Sequence, residues 1–181
     1  MSKLVFFLLF FTLLGQAKVD PPNYNFSLDK LQIFMPGQSI NDVNKKYPKK
    51  ELVFKSEQFK THKYYIKHLR YKFPILVQSY KEIITDFHAR LPQYFLHDIF
   101  HQGLINRLGK QDIYKKVEEQ AVYIWINKDN NRHYYAGACS ITCFPIYYAV
   151  RNLGQKLPED YKPLINKFKL KNIILENSGE N

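Results

Sequence analysis

Hydrophobic and polar positions change period several times along this chain. Residues 4–14 are apolar apart from Thr12, short of the roughly 20 that span a bilayer. After Pro36 and Gly37, Ile40 and Val43 recur three apart behind Ser39, a favoured N-cap, with Asp42 in the first turn. This predicts a helix over 40–46 that stops before Pro48. Residues 52–54 read as a short strand. Over 64–73 the alternation has period two, with Tyr65, Leu69, Tyr71 and Phe73 on one face and His68, Arg70 and Lys72 on the other. Residues 75–77 continue that strand character after Pro74. Helical patterns are expected over 82–90 and 91–108, the second entered at Pro92 and closed by Gly109. Residues 121–126 are β-rich, 128–131 form a turn, and 133–142 run back as the second arm of a hairpin. Pro145 and Gly154 favour a short helix over 144–153, and 161–168 reads as a last short helix.

The order of elements, helix then strands and again helix then strands, predicts an α+β fold with helices packed on an antiparallel sheet. It suggests two pseudo-repeated helix-plus-strands units, 36–80 and 82–153, within one domain over 36–170. An extended leader (18–35) precedes the domain and a tail (171–181) follows it. The first unit carries Gly37, Ser39, Val43 and Tyr47-Pro48; the second carries Leu104, Leu108 and Gly109, then Tyr123 and Trp125. These residues resemble the helix-and-strand units of the β-lactamase-inhibitor-protein-like superfamily, over 36–80 and 104–148. That group includes small periplasmic lipoproteins attached to outer-membrane β-barrel assembly, whose lipid-bearing cysteine is missing here. The resemblance implies helices on one face of an antiparallel sheet and a binding role rather than an enzymatic one.

Composition adds a location and a partner class. Lys3, the apolar run and Gly15-Gln16-Ala17 have the three-part pattern of a secretory signal peptide cleaved after Ala17, so the chain is expected to be secreted or periplasmic. Lys and Arg number 27 against 16 Asp and Glu. Such a surplus attracts anionic partners; outside the cytoplasm these are an anionic envelope component or an acidic protein surface rather than nucleic acid. The row of His68, Arg70 and Lys72, with Tyr71 between them, is the candidate binding face.

Two further constellations carry possible chemistry. His97 and His101 stand four apart with Asp98 between them, a spacing that places both imidazoles on one side of a helix. It resembles the HExxH signature of zinc peptidases, with Asp98 as base or ligand and His133, Glu118 or Glu119 as the third ligand of zinc or another divalent ion. Leu96-His97-Asp98-Ile99 also resembles the core of HD-domain phosphohydrolases, which would recruit His68 and either Asp129 or Asp112. A metal-dependent hydrolase is therefore the alternative reading. Against it, His97 and His101 share a helical strip with Leu104 and Leu108, where histidines usually serve packing. Cys139 and Cys143 form the second constellation. An even cysteine count in an oxidising compartment favours a disulfide. Four residues of straight strand, however, separate the two by roughly 13 Å against the ~5.5 Å needed, so a bridge demands a turn, bulge or helix. Left unbridged, Cys143 becomes a candidate nucleophile at a helix N-terminus, with His133 or His101 as its base.

Overall fold

The computed structural model describes residues 28–68, 71–92, 97–117, 120–137 and 146–167. The signal-peptide region and the leader up to residue 27, Leu69, Arg70, Glu118, Glu119, both cysteines and the tail lie outside the described residues. The side chains of Tyr71, His97 and Asp98 lie outside them too. The rest of the expected extended leader, Leu28–Phe34, is a 3-10 helix.

One antiparallel sheet dominates. Its strands are β1 (Glu51–Lys55), β2 (Phe59–His68), β3 (Tyr71–Tyr80), β4 (Ile83–Leu91), β5 (Ile113–Val117), β6 (Gln120–Lys128), β7 (Asn131–Gly137) and β8 (Ile146–Asn152). They lie in the order β1-β2-β3-β4-β8-β7-β6-β5. Helical structure is short: a 3-10 helix Leu28–Phe34, α1 (Ile40–Lys46), α2 (His97–Leu108) and a 3-10 turn Leu164–Lys167. This corrects the expected α+β fold of two helix-plus-strands units. A single eight-stranded sheet runs through both proposed halves, and β4 and β8 zip them together from Asp86↔Arg151 to Leu91↔Ile146.

Three local expectations are corrected with it. Residues 64–73 are not one strand: β2 ends at His68 and β3 starts at Tyr71, and these two residues face each other across the antiparallel ladder. Residues 82–90 are not helical: Glu82 lies in a turn and Ile83–Leu91 form β4, taking in Leu91 from the start of the helix expected over 91–108, and the β-branched Ile83, Ile84 and Thr85 suit a pleated sheet. Residues 146–152 of the expected helix over 144–153 form β8. The helix over 40–46 forms as expected, with the Ser39 side chain accepting from the Asn41 N–H at 3.2 Å. Ser39→Ala should cost about 1 kcal/mol, read as a lower urea midpoint with an unchanged slope.

The main core lies on one face of the sheet. Leu31 and Phe34 from the 3-10 helix, Ile40 and Val43 from α1, and Phe100 and Leu104 from α2 pack on Tyr64, Ile75, Phe87, Trp125, Tyr135 and Tyr148. Each such side chain contributes about 1.5–3 kcal/mol when fully buried. No helix among the described residues is long and apolar enough to cross a membrane.

The opposite face has a smaller cluster, with Val122, Ile124, Tyr134, Ala136 and Ala149 under Ile165. The segment leading to Ile165 is fastened by a buried carboxylate. Asp86 accepts from Thr85 Oγ1 (2.7 Å), Gln78 Nε2 (3.3 Å) and the Leu164 N–H (2.6 Å). Gln78 Nε2 also donates to the Lys162 carbonyl at 3.1 Å.

Candidate functional site

A shallow depression of about 460 Å³ lies by the β3–β4 hairpin, lined by Glu57, Lys60, Tyr80 and Glu82 among others; a smaller and more enclosed cavity lies on the helical face, between the helical cap and strands β7 and β8. It encloses about 220 Å³. Leu28, Met35, Pro36 and Leu108 form apolar walls. Gln32, Gln38 and Arg107 line it from the helical side, and Asp129, Asn131, His133 and Tyr148 from the sheet.

Each wall is held by local chemistry. The β6–β7 hairpin turns through Asp129 (φ 53°) and Asn130 (φ 58°), left-handed positions that Asp and Asn tolerate best among residues with a Cβ. Asn131 Nδ2 donates to the Asp129 carbonyl at 2.9 Å, and the Leu153 N–H donates to Asn130 O at 2.9 Å. These bonds fasten the hairpin to the chain leaving β8. Opposite, Gly37 adopts φ 89°, a conformation that a Cβ would strain. Its N–H donates to Ile84 O at 2.8 Å, and the Ile84 N–H donates to Gln38 O at 2.9 Å. The wall over 35–38 is thereby tied to the start of β4. Trp125 Nε1 donates to Gly109 O at 2.8 Å, anchoring the end of α2 that carries Arg107.

His133 and Tyr148 are both buried, and His133 Nδ1 is 2.8 Å from the Tyr148 hydroxyl. Burial pushes the His133 imidazole down to about 4; the Arg107 charge acts in the same direction, and the Lys128 carbonyl and Asp129 charge act against it. Burial raises the Tyr148 phenol above its ordinary range. Near neutral pH both groups are therefore uncharged and share one hydrogen bond. His133 Nε2 and Asn131 Oδ1 are buried polar atoms without a hydrogen-bond partner among the described residues. Buried polar atoms normally find partners, and these two lie on side chains that line the same cavity. Arg107 supplies charge, bonding Asp29 at 3.0 Å and Gln32 at 3.4 Å.

The histidines and the basic face fall elsewhere. His101 is half-buried in an aromatic nest, with ring centroids 4.0 Å from Tyr123, 5.9 Å from Tyr135 at an interplanar angle of 7°, and 6.2 Å from Trp125. No group of three His, Cys, Asp or Glu side chains placed to hold a metal ion occurs among the described residues. His68 does not stand in an exposed row with Lys72. Across the ladder His68 faces Tyr71 while Lys67 faces Lys72, so His68 and Lys72 lie on opposite faces. His68 is buried, and Lys30 Nζ lies 3.2 Å from its Nδ1. Lys72 is exposed, as is Tyr65 on the same face. Arg107, Asn131, Gln32 and Tyr148 were not legible as site residues. Asn131 carried a turn signal, and nothing local marks the other three.

Comparison of the chain with protein-family models, with curated proteins and with solved structures returns no match.

Proposed function

We propose that this is an exported, non-catalytic binding protein that holds a small, hydroxyl-bearing anion in the cavity between the helical cap and β7–β8. The observation that carries the reading is the pair of buried, unpartnered atoms, His133 Nε2 and Asn131 Oδ1, on side chains that line one cavity. Asn131 Oδ1 asks for a donor. His133 Nε2 is donor or acceptor according to which partner holds the proton shared with Tyr148. A ligand hydroxyl satisfies either case. The anionic partner expected from the charge surplus becomes an anionic group facing Arg107. Size follows from volume: a cavity of about 150 Å³ takes benzene, so roughly ten non-hydrogen atoms fit here. Binding is favoured over proton transfer because an acid–base group works best with a pKa near the operating pH, and His133 lies well below that.

The test is titration with lactate and glycerate, and with glycerol as the neutral control, followed by thermal shift and by the histidine ring NMR signals. At least one hydroxy-carboxylate should bind saturably and move the His133 resonances. Arg107→Gln should weaken that binding about tenfold, the loss of one charge-assisted contact, and leave glycerol unchanged. Absence of any saturable response in His133 rejects the reading.

A further inference from the structure

On the face away from the helical cap, strands β2 to β4 carry cations around an apolar centre. Tyr64, Ile66, Phe73 and Ile75 point into the main core. By strand alternation Lys63, Tyr65, Lys67, Lys72, Pro74 and Leu76 point the other way. The ladder sets Lys67 directly across from Lys72, Tyr65 from Pro74 and Lys63 from Leu76. On β4, Ala89 belongs to the core and Arg90 to this second face, opposite Tyr147 of β8. Lys67, Lys72 and Arg90 are exposed, as is Tyr65 (42%). None of these three cations has an acidic partner among the described residues. Lys63 bonds Glu51, and its Nζ lies 5.4 Å from the centre of the Tyr65 ring. Like charges set directly across an antiparallel ladder destabilise it, and an anion facing Lys67 and Lys72 would relieve that.

We infer that this patch docks the protein on an anionic lipid surface. Charge complementarity selects the sign of the partner, and the layout selects a surface. Lys63, Lys67, Lys72 and Arg90 come from three adjacent strands. They cover roughly 14 Å along the strands by 10 Å across them, from a rise of ~3.4 Å per residue and a strand spacing of ~4.8 Å. An extended acidic chain meets a single row or groove, whereas headgroups meet charge spread in two dimensions. The centre suits the same partner. Tyrosine settles at the headgroup level of a bilayer, where its ring is half apolar and half wet, and Pro74 and Leu76 lie half-buried beside Tyr65. The lysine and arginine stems lie along that apolar ground while their heads reach phosphate. Each basic side chain near such a surface contributes about fivefold in affinity, so the docking is reversible and screened by salt. The cavity opens on the helical face, so a protein lying on this patch keeps it turned away from the bilayer.

Flotation of the purified full chain tests this, with vesicles of phosphatidylcholine alone and of phosphatidylcholine and phosphatidylglycerol in equal parts. Residues 4–14 are apolar apart from Thr12 and add the same uncharged affinity to both, so the phosphatidylglycerol-dependent part is the readout. Wild type should show it, and show less as salt rises. Lys67→Gln, Lys72→Gln and Arg90→Gln together should lower it about a hundredfold, three contacts of about fivefold each. Lys46→Gln, Lys49→Gln and Lys50→Gln together, at and just after the end of α1, remove the same net charge and should leave most of it. Tyr65→Trp reports position: nitroxide-labelled lipid should quench it in the anionic vesicles, while Trp125, fully buried, stays unquenched in wild type. Circular dichroism checks each variant. Equal binding to both vesicle types, or equal loss in the two triple variants, overturns the inference. A Tyr65→Trp signal untouched by labelled lipid overturns it too, as does capture of polyglutamate through these residues without vesicle binding.

Discussion

Asp86→Ala is expected to destabilise the protein by about 3–5 kcal/mol, the scale for removing one partner from a buried charged network. The reason is the number of donors it would strand. Asp86 is 2% exposed and accepts from Thr85, Gln78 and the backbone of Leu164. Alanine leaves those donors buried without their acceptor and frees the segment that carries Ile165 onto the second face. Two readouts should move together: the urea midpoint falls, and the Leu164 amide exchanges with solvent much faster than in wild type. Asp86→Asn keeps an acceptor oxygen and should lose roughly half as much. A loss under about 1 kcal/mol with Leu164 still protected would show that the carboxylate does not fasten the segment.

The second large effect is acid lability. Burial lowers His88 to about 3 and His133 to about 4, against an ordinary value of 6.5. His62 and His68 are lowered too, first by burial and then by neighbouring lysines. The native state holds these imidazoles neutral while the unfolded chain lets them charge. Below pH 6.5 the unfolded chain therefore binds more protons, and stability is lost as pH falls from 6.5 towards the folded values of 4 and 3; above 6.5 the contribution is fully present. At 1.36 kcal/mol per unit the loss by pH 4.5, two units below the ordinary value, is on the order of 3 kcal/mol for each of His88 and His133. Guanidinium unfolding at pH 7.5, 5.5 and 4.5 measures it. His88→Leu should flatten part of the slope, and a stability constant across that range would contradict the buried neutral imidazoles.

What could be read from the sequence was local. Ser39 and the helix behind it, and the hairpin turning at Asp129 and Asn130, are signalled by a few adjacent residues whose side chains act on their own backbone. β4 was hidden for two physical reasons. It is covered on both faces, so Ile84, Thr85, Asp86, Phe87, His88 and Ala89 are all buried and period two disappears. Its hairpin from β3 also turns through Lys81 (φ 48°) and Glu82 (φ 65°), left-handed positions with no Gly or Asn to announce them. Between β2 and β3 the reverse happened: unbroken alternation ran through a reversal of chain direction. The cavity was illegible because Gln32, Arg107, Asn131 and Tyr148 come from four separate segments, and only the sheet order brings them together.

That strand order also fixes a sequence of events in assembly. β1, β2 and β3 each pair with the next strand in the chain, and so do β5, β6 and β7, so each hairpin can zip within microseconds. The β4–β8 ladder alone joins strands far apart in the chain, and it must close a long loop before any of its bonds form. As the amino-terminal meander leaves the ribosome its β4 margin has no partner yet. The interval before β8 arrives is when the nascent protein is most exposed to pairing with the wrong strand.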